Sequence, residues 1–191
     1  MIGSLRGPVT HVGPESVLIE LGGVGYRVVA GPSLLARLRL GSEAHLFIHH
    51  LVRDDLQALF GFASSEELAF FELLMTVTGV GPRLALAITS AHPVTKLQLA
   101  IVTDDVDVLT SVTGVGRRIG LRVILELKEK IHAAGIAGGG GASSDSDVVA
   151  ALESLGYTAS EARRAAGAVA GSGDGLDVRI KAALQELARS R

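Results

Sequence analysis

The feature that most constrains this chain is a glycine-centred stretch that occurs twice. Residues 76–86 read TVTGVGPRLAL and residues 111–121 read SVTGVGRRIGL, so the two copies begin 35 residues apart. They share Val-Thr-Gly-Val-Gly followed, one residue later, by an arginine, and apolar residues continue after both. We call residues 76–81 hairpin 1 and residues 111–116 hairpin 2. The repeat predicts two equivalent units in which a glycine turn leads into a helix.

Each hairpin has the residues of an anion-binding site. Glycine adopts positive φ and carries no Cβ, so the turn is tight and its backbone is accessible. The helix that follows presents free N–H groups and the positive end of its dipole at the same turn. Arginines in the first helical turn add phosphate contacts, and the valine between the glycines is expected to anchor each turn to the core. The predicted DNA-binding residues are Gly79, Val80, Gly81, Arg83, Gly114, Val115, Gly116, Arg117 and Arg118.

Two other interpretations of these glycines stay open on the pattern alone. A Gly-x-Gly turn can simply join two helices without binding a ligand. A Rossmann phosphate loop is a second possibility, but it requires G-x-G-x-x-G after a strand. Here Gly114, Gly116 and Gly120 follow residues 106–112, whose pattern is too short and mixed to assign. The first copy follows a clear helical pattern, so the repeat favours helices around both turns.

Composition and charge limit the chemistry. The chain has no cysteine, which excludes disulfides, thiolate nucleophiles and cysteine-based zinc sites. The start MIGSLRG lacks a signal-peptide pattern and no apolar run approaches about 18 residues, so we expect a cytoplasmic protein without a membrane span. The formal net charge of −2 argues mildly against nucleic acid, whose binding domains are usually basic. DNA binding by this chain would therefore depend on local geometry.

The first 63 residues have strand character. Short β-rich segments are predicted at residues 2–6, 9–12, 17–21, 26–29, 44–50 and 57–62. A hairpin turn between two of them is predicted at Gly22-Gly23-Val24-Gly25. About five strands with little helix predict a small closed barrel such as an OB-fold, although an SH3-like barrel gives a similar pattern. The overall class is multidomain α+β.

The remainder of the chain has helical character. Ser64 and Glu67 form a predicted capping box, and residues 64–134 continue at helical spacing except at the glycine hairpins and at Ala91-His92-Pro93. Residues 135–147 contain four consecutive glycines and predict a flexible linker. Residues 148–191 then predict a small three-helix domain, with Gly156 as a helix C-cap and Thr158 with Glu161 as a second capping box.

These motifs carry a resemblance to a known family. The doubled hairpin is similar to the helix-hairpin-helix motif of DNA-binding proteins that do not read base sequence. The order of barrel, tandem hairpins, linker and three-helix tail resembles the RuvA family of bacterial Holliday-junction-binding proteins over the whole chain. Local matches are MIGSLRG at the start, GGVGY at 22–26, HLVRDD at 50–55 before LFGF at 59–62, GVGPRLAL at 79–86 and ALESLGY at 151–157.

The resemblance implies a DNA-binding role without catalysis. It implies a homotetramer, alone or paired as an octamer, that binds four-way junction DNA through the hairpin amides and holds it open. It implies that the C-terminal three-helix domain, of the ubiquitin-associated (UBA-like) type, recruits the RuvB ATPase motor for branch migration, and that the RuvC resolvase is a further partner. The chain contains no P-loop G-x-x-x-x-G-K-[ST], so we expect no ATPase activity of its own and no cofactor.

Asp54 and Asp55 form an acidic pair between two predicted strands. On the pattern alone, a solvated turn is the simplest interpretation, and a metal site with His49 and His50 lacks a recognised ligand spacing. The RuvA resemblance implies another role, in which an acidic pair from each subunit forms a pin at the junction centre and repels phosphates at the crossover. Asp54 and Asp55 occupy the matching positions. We expect no metal ligands in this chain.

Two rival functions fit the sequence less well than junction binding. A helix-hairpin-helix DNA glycosylase places a catalytic Lys or Asp after a single hairpin, and this chain has two hairpins and no convincing nucleophile. A single-strand-binding OB protein relies on aromatic stacking, for which this chain offers only Tyr26 and Phe47.

The chain also departs from the family pattern, because Arg83, Arg117 and Arg118 stand where lysines are frequent. Gly120 and Leu121 similarly replace an alanine and a polar residue.

Overall fold

The N-terminal part is a closed five-stranded barrel. The computed structural model describes residues 1–53, 56–136, 145–169 and 175–189. Neighbouring strands follow the order β1-β2-β3-β5-β4 around the barrel, all antiparallel except β3 with β5. A short helix, α1 (Pro32–Leu35), lies between β3 and β4 in the chain. This barrel is of the OB type expected from the sequence. The strands are β1 (Ser4–Val12), β2 (Ser16–Leu21), β3 (Val24–Ala30), β4 (Glu43–Arg53) and β5 (Leu56–Phe62).

Strand alternation and one glycine turn define the barrel. In β1 the side chains alternate between exposed and buried, which places Leu5 and Val9 in the core. Gly22 and Gly23 have φ of +58° and +82° and join paired Leu21 and Val24, so the predicted hairpin is present but its turn is two residues long, with Val24 and Gly25 already in β3. The predicted segments 2–6 and 9–12 form one strand, β1. Gly7 permits this continuity, because a Cβ there would lie 2.6 Å from the Glu20 carbonyl oxygen of β2.

The central part contains five helices in the described residues. Ser64 caps α2 by accepting the Glu67 N–H at 3.2 Å, while the Glu67 carboxylate accepts the Ala63 N–H instead of the Ser64 N–H expected of a capping box. Helices α3 and α4 meet at 101° across His92 and Pro93, and no single described helix is long and apolar enough to span a membrane. The helices are α2 (Ser65–Met75), α3 (Pro82–Ala91), α4 (Val94–Val102), α5 (Val106–Thr110) and α6 (Arg117–Ile136).

Three further helices are described near the C-terminus. They are α7 (Asp145–Ser154), α8 (Ala159–Ala168) and α9 (Leu176–Arg189). Gly156 ends α7 with φ of +95°, and Thr158 and Glu161 form a complete capping box at α8, so both sequence predictions are confirmed. Of the linker predicted at residues 135–147, residues 135–136 belong to α6 and residues 145–147 to α7, and residues 137–144 lie outside the described residues.

A continuous apolar core runs from the barrel through the central helices to the C-terminal helices. At the barrel, Phe71 of α2 stacks against Phe60 and Phe62 of β5, with ring centroids 5.5 and 4.8 Å apart. Beside them, His49 Nδ1 of β4 lies 2.9 Å from Glu72 Oε1 of α2. These contacts fix the first central helix against the barrel wall.

The C-terminal helices dock on the central helices through a buried polar contact. Gln98 of α4 is fully buried; its Nε2 donates to the Leu155 carbonyl at 2.7 Å, and its Oε1 accepts the Tyr157 hydroxyl at 2.8 Å. Gly156 makes the close approach possible, because a Cβ there would lie 2.7 Å from Ala69 Cβ of α2. A buried amide with both of its ends hydrogen-bonded stabilises one relative position of α4 and the α7–α8 turn.

The two tyrosines of the chain allow a matched test of this contact. Tyr157→Phe removes the donor to Gln98 Oε1 in a buried environment, so we expect it to lower the free energy of unfolding by about 1–2 kcal/mol. Tyr26→Phe changes a half-buried barrel residue whose side-chain hydroxyl is in no hydrogen bond within the described residues, and should have little effect. Urea denaturation followed by circular dichroism measures both. Equal effects of the two substitutions would contradict the role given to Tyr157.

Candidate nucleic-acid interface

The two hairpins have the same backbone structure. Gly79 and Gly114 take φ of +88° and +91°, in the left-handed region that glycine adopts without strain. Corresponding hydrogen bonds close the turns: Val77 N to Leu74 O and Val80 N to Val77 O in hairpin 1, Val112 N to Leu109 O and Val115 N to Val112 O in hairpin 2. Since hairpin 2 lies between helices α5 and α6, the Rossmann interpretation is wrong.

The repeat extends to the hydroxyl groups that end the preceding helices. The Thr76 hydroxyl donates to the Leu73 carbonyl at 2.6 Å, and the Ser111 hydroxyl donates to the Val108 carbonyl at 2.7 Å. Thr76 and Ser111, the two donors, are 35 residues apart, and so are Leu73 and Val108, the two acceptors. The sequence repeat is therefore a repeat of hydrogen bonds as well as of glycine positions.

Free backbone N–H groups lie at the start of α3 and of α6. The first N–H bonded within each helix belongs to Ala85, which donates to Gly81 O, and to Gly120, which donates to Gly116 O. Within the described residues, the N–H groups of Gly79 and Gly81 have no hydrogen-bond partner, and those of Gly114 and Gly116 have none either. Such unpaired donors at a helix N-terminus attract anions.

The two helix starts differ in one respect. Pro82 is the first residue of α3 and has no N–H group, whereas Arg117 at the same position of α6 has one. Hairpin 1 therefore presents one donor fewer than hairpin 2. Hairpin 2 also has two arginines in its first helical turn, where hairpin 1 has one.

The predicted side chains divide into anchors and exposed cations. Val80 and Val115 are each 5% exposed, which confirms that they anchor the turns to the core. Arg83, Arg117 and Arg118 are exposed, and in the part of the chain that the structure describes none of them is in a hydrogen bond or ion pair. Three cations without an intramolecular partner beside unpaired amides form a surface suited to phosphate.

Each hairpin packs against the second helix of the other copy. A Cβ at Gly79 would lie 3.5 Å from Ile119 Cδ1 of α6, and a Cβ at Gly114 would lie 3.5 Å from Leu84 Cδ1 of α3. Leu84 and Ile119 are themselves 35 residues apart. The contacts are thus reciprocal, as in two units related by an approximate two-fold axis, and the hairpins form one structural unit.

Gly120 has a packing role that the sequence did not reveal. A Cβ at Gly120 would lie 3.0 Å from Val106 Cγ2 and 3.3 Å from Thr110 Cγ2, both in α5. Absence of a side chain lets α5 and α6 approach closely behind hairpin 2. Glycine in place of the family's usual alanine at position 120 therefore goes with closer packing of α5 against α6.

Three polar residues of α6 that the sequence analysis did not single out contact hairpin 1. Glu126 Oε2 accepts the Thr78 N–H at 3.1 Å, and Arg122 Nη1 donates to the Thr78 carbonyl at 3.2 Å. Lys130 Nζ donates to the Thr76 hydroxyl. Their i, i+4, i+8 spacing places them on one face of a helix. That spacing was visible in the sequence, but its partner across the fold was not.

The acidic pair predicted for the junction centre, Asp54 and Asp55, lies outside the described residues. The neighbouring histidines have other partners: His49 contacts Glu72, and His50 Nδ1 lies 3.3 Å from the Ile2 N–H. Among the described residues, no three His, Asp or Glu side chains are grouped closely enough to hold a metal ion.

Comparison with known proteins finds family matches along most of the chain. The RuvA N-terminal domain family matches residues 1–61, and the RuvA C-terminal domain family matches residues 145–188. Between them, the SAM-like tandem helix-hairpin-helix family matches residues 71–129, which include both hairpins. The matched segments correspond to the barrel, the paired hairpins and the C-terminal helices.

Curated relatives are similar over the full length. A protein of Acidothermus cellulolyticus is 43% identical over 91% of this chain and 89% of its own length. Proteins of Salinispora arenicola and Mycobacterium ulcerans are 40% and 42% identical over the whole of both chains. All three are named Holliday junction branch migration complex subunit RuvA.

Two glycines of hairpin 1 should respond differently to the same substitution. Gly79→Ala forces alanine to adopt φ near +88°, and we expect a loss of about 1–2 kcal/mol in the free energy of unfolding. Gly81 has φ of −91° and no atom within 4 Å of its Cβ position, so Gly81→Ala should leave stability unchanged or slightly higher. Urea denaturation distinguishes the two, and equal losses would contradict the left-handed conformation of Gly79.

Proposed function

The chain belongs to the RuvA family, and on that premise we propose that it binds four-way DNA junctions by their structure and without reading base sequence. The paired hairpins carry this proposal. Their unpaired amides and free arginines suit the phosphate backbone, which is the same in every sequence. Because the hairpins pack reciprocally, they are proposed to bind both strands of one duplex arm at a fixed separation.

Local geometry resolves the objection raised by overall charge. The chain has a net charge of −2, so long-range attraction to DNA is weak. Backbone amides and helix dipoles act at contact distance and require no net positive charge. The proposed DNA-binding residues are those predicted from sequence: Gly79, Val80, Gly81, Arg83, Gly114, Val115, Gly116, Arg117 and Arg118.

Assembly would bring four such units around one junction. We propose a homotetramer, alone or as a facing pair of tetramers, with the barrels of residues 1–63 at the centre and the hairpin domains of residues 64–134 along the arms. Asp54 and Asp55 from each subunit would form the acidic pin at the crossover, where negative charge repels phosphate and keeps strands apart. Pin and hairpins thus have opposite electrostatic roles.

The C-terminal part would connect junction binding to a motor. We propose that the C-terminal domain, predicted at residues 148–191 and joined to the hairpin domain by the chain between α6 and α7, recruits the RuvB ATPase, and that this subunit is itself not an enzyme and requires no cofactor. RuvB would then drive branch migration during recombination and repair in the cytoplasm, with RuvC as a further partner.

A gel-shift comparison tests the proposed function. We expect wild-type protein to bind a four-way junction at least tenfold more tightly than a linear duplex of the same arm sequence across a salt series. The double variant Gly81→Ala/Gly116→Ala adds methyl groups in open space beside the free amides and should weaken junction binding about tenfold without unfolding the protein. Gly167→Ala in α8, also open, is the control. Equal affinity of wild type for junction and duplex would refute the proposal.

Removal of the acidic pair should separate binding from migration. Asp54→Asn/Asp55→Asn is expected to retain or slightly tighten junction binding, since two repelling charges are lost, while altering the rate of RuvB-driven branch migration. Glu15→Gln/Glu43→Gln removes the same charge from exposed barrel positions and serves as the control. Strand-exchange assays at matched RuvB concentration measure the rate. Identical rates for the Asn variant and wild type would count against the pin.

A further inference from the structure

We propose that Arg122 and Glu126 of α6 are positioning residues that hold hairpin 1 in its DNA-binding orientation, with Lys130 as a third contact. The proposal rests on the proposed function, because it concerns how the same phosphate-binding surface is assembled. These residues contact the backbone or a hydroxyl of hairpin 1, although they belong to the helix that begins at hairpin 2.

Both backbone polar groups of Thr78 are held by side chains of α6. Glu126 Oε2 accepts its N–H at 3.1 Å and Arg122 Nη1 donates to its carbonyl at 3.2 Å. The two side chains lie beside each other, with Arg122 Nε 4.0 Å from Glu126 Oε1, and they are 34% and 28% exposed. Charge-assisted hydrogen bonds between half-buried groups are stronger and more directional than those between neutral, fully exposed groups.

Peptide planarity transmits this restraint to the proposed phosphate donor. The carbonyl of Thr78 and the N–H of Gly79 belong to one planar trans peptide and point in opposite directions. A carbonyl directed at Arg122 therefore directs the Gly79 N–H away from α6. That N–H has no partner within the described residues. Arg122 thus orients a donor that it does not contact.

Helix α6 connects the two binding points through one rigid element. Its first residue, Arg117, follows hairpin 2, and Glu126 is nine residues further along, which corresponds to about 13.5 Å of helix. An α-helix resists changes in length, so the contacts of Arg122 and Glu126 with Thr78 set the distance from hairpin 1 to the start of α6. The two phosphate sites are then presented at a constant separation.

Within the described residues, this restraint is present at hairpin 1 and has no counterpart at hairpin 2. Positions 35 residues before Arg122 and Glu126 are Ala87 and Ala91, which have no polar side-chain group. Thr113, the counterpart of Thr78, is in no side-chain hydrogen bond within the described ranges. Among the described residues, the side-chain hydrogen bond that hairpin 2 receives from the other copy joins His92 Nε2 and Ser111 Oγ at 3.1 Å, at the end of α5 rather than at the glycine turn. The sequence repeat therefore conceals a functional asymmetry.

The sign of the Glu126→Ala effect tests this proposal. If Glu126 acted only through its charge, its removal would reduce repulsion and tighten DNA binding. A positioning role predicts the opposite, with junction binding about fivefold weaker, as for the loss of one hydrogen bond. The slope of the logarithm of the binding constant against the logarithm of salt concentration should also become shallower, by the amount of about one phosphate contact. Glu126→Gln loses the charge but keeps an acceptor for Thr78, and should restore most of the affinity.

Asp104→Asn supplies a matched control. Asp104 Oδ2 accepts a hydrogen bond at 2.8 Å from Nζ of Lys128, which, like Glu126, belongs to α6. This variant therefore also removes one negative charge from an interaction that involves α6. Asparagine tolerates the φ of +58° found there. Asp104→Asn should bind the junction as tightly as wild type or slightly more tightly. Glu126→Ala binding as tightly as Asp104→Asn would overturn the proposal.

Hydrogen exchange without DNA provides the second measurement. In the full-length protein, Glu126→Ala should accelerate amide exchange in peptides covering residues 76–81 and leave residues 111–116 unchanged. Equal acceleration in both hairpins would indicate general destabilisation and would overturn the positioning role, as would no acceleration. Because this readout needs no junction, it stays decisive even if wild-type protein shows no junction preference, which would refute the proposed function instead.

Discussion

Gly79 packs on Ile119, and Gly114 packs on Leu84, so each turn is supported by a helix that the other turn begins. Glycine is required in this exchange by backbone conformation, since both residues have φ near +90° and a Cβ at either position would make only an ordinary 3.5 Å contact. The buried valines, the unpaired amides and the exposed arginines all take their positions from this exchange. A single hairpin would have to find another partner for its glycine face, and its helix N-terminus would then have no fixed relation to a second one. The repeat supplies its own support.

Much of the fold could be predicted because local signals agreed with tertiary structure. Ser64, Gly156 and the Thr158 capping box marked helix ends through hydrogen bonds that are formed within four residues, and Gly22 with Gly23 marked a hairpin in the same way. The barrel class and the pair of helix-joining turns were also predicted. Chain continuity through β1 was missed, since Gly7 and Pro8 read locally as a break. Only the contact of Gly7 with Glu20 on the next strand explains why the strand continues there.

The candidate site was predictable in its glycines and arginines but not in its supports. Short spacing identified each hairpin, whereas Arg122 and Glu126 act on a residue 44 and 48 positions earlier in the chain. The same holds for Gln98, whose partners are 57 and 59 positions later. A lone glutamine in a helix gives no sign that it will be buried. Contacts between residues this far apart in the chain follow from the packing of helices. That packing is determined by many residues together and cannot be read from one short pattern.

The proline that begins α3 makes the two hairpins unequal in the number of donors that they present to phosphate. Hairpin 1 has one amide donor and one arginine fewer than hairpin 2, so the two strands of a bound duplex would be held with unequal strength. In an assembly with rotational symmetry, the strand that hairpin 1 binds, and holds less strongly, would lie on the same side of every arm around the axis. Strands leaving the centre would then slip more readily on one side than on the other. Under the proposed assembly, the two strands of each arm would therefore dissociate from the protein at different rates, in the same sense around the axis.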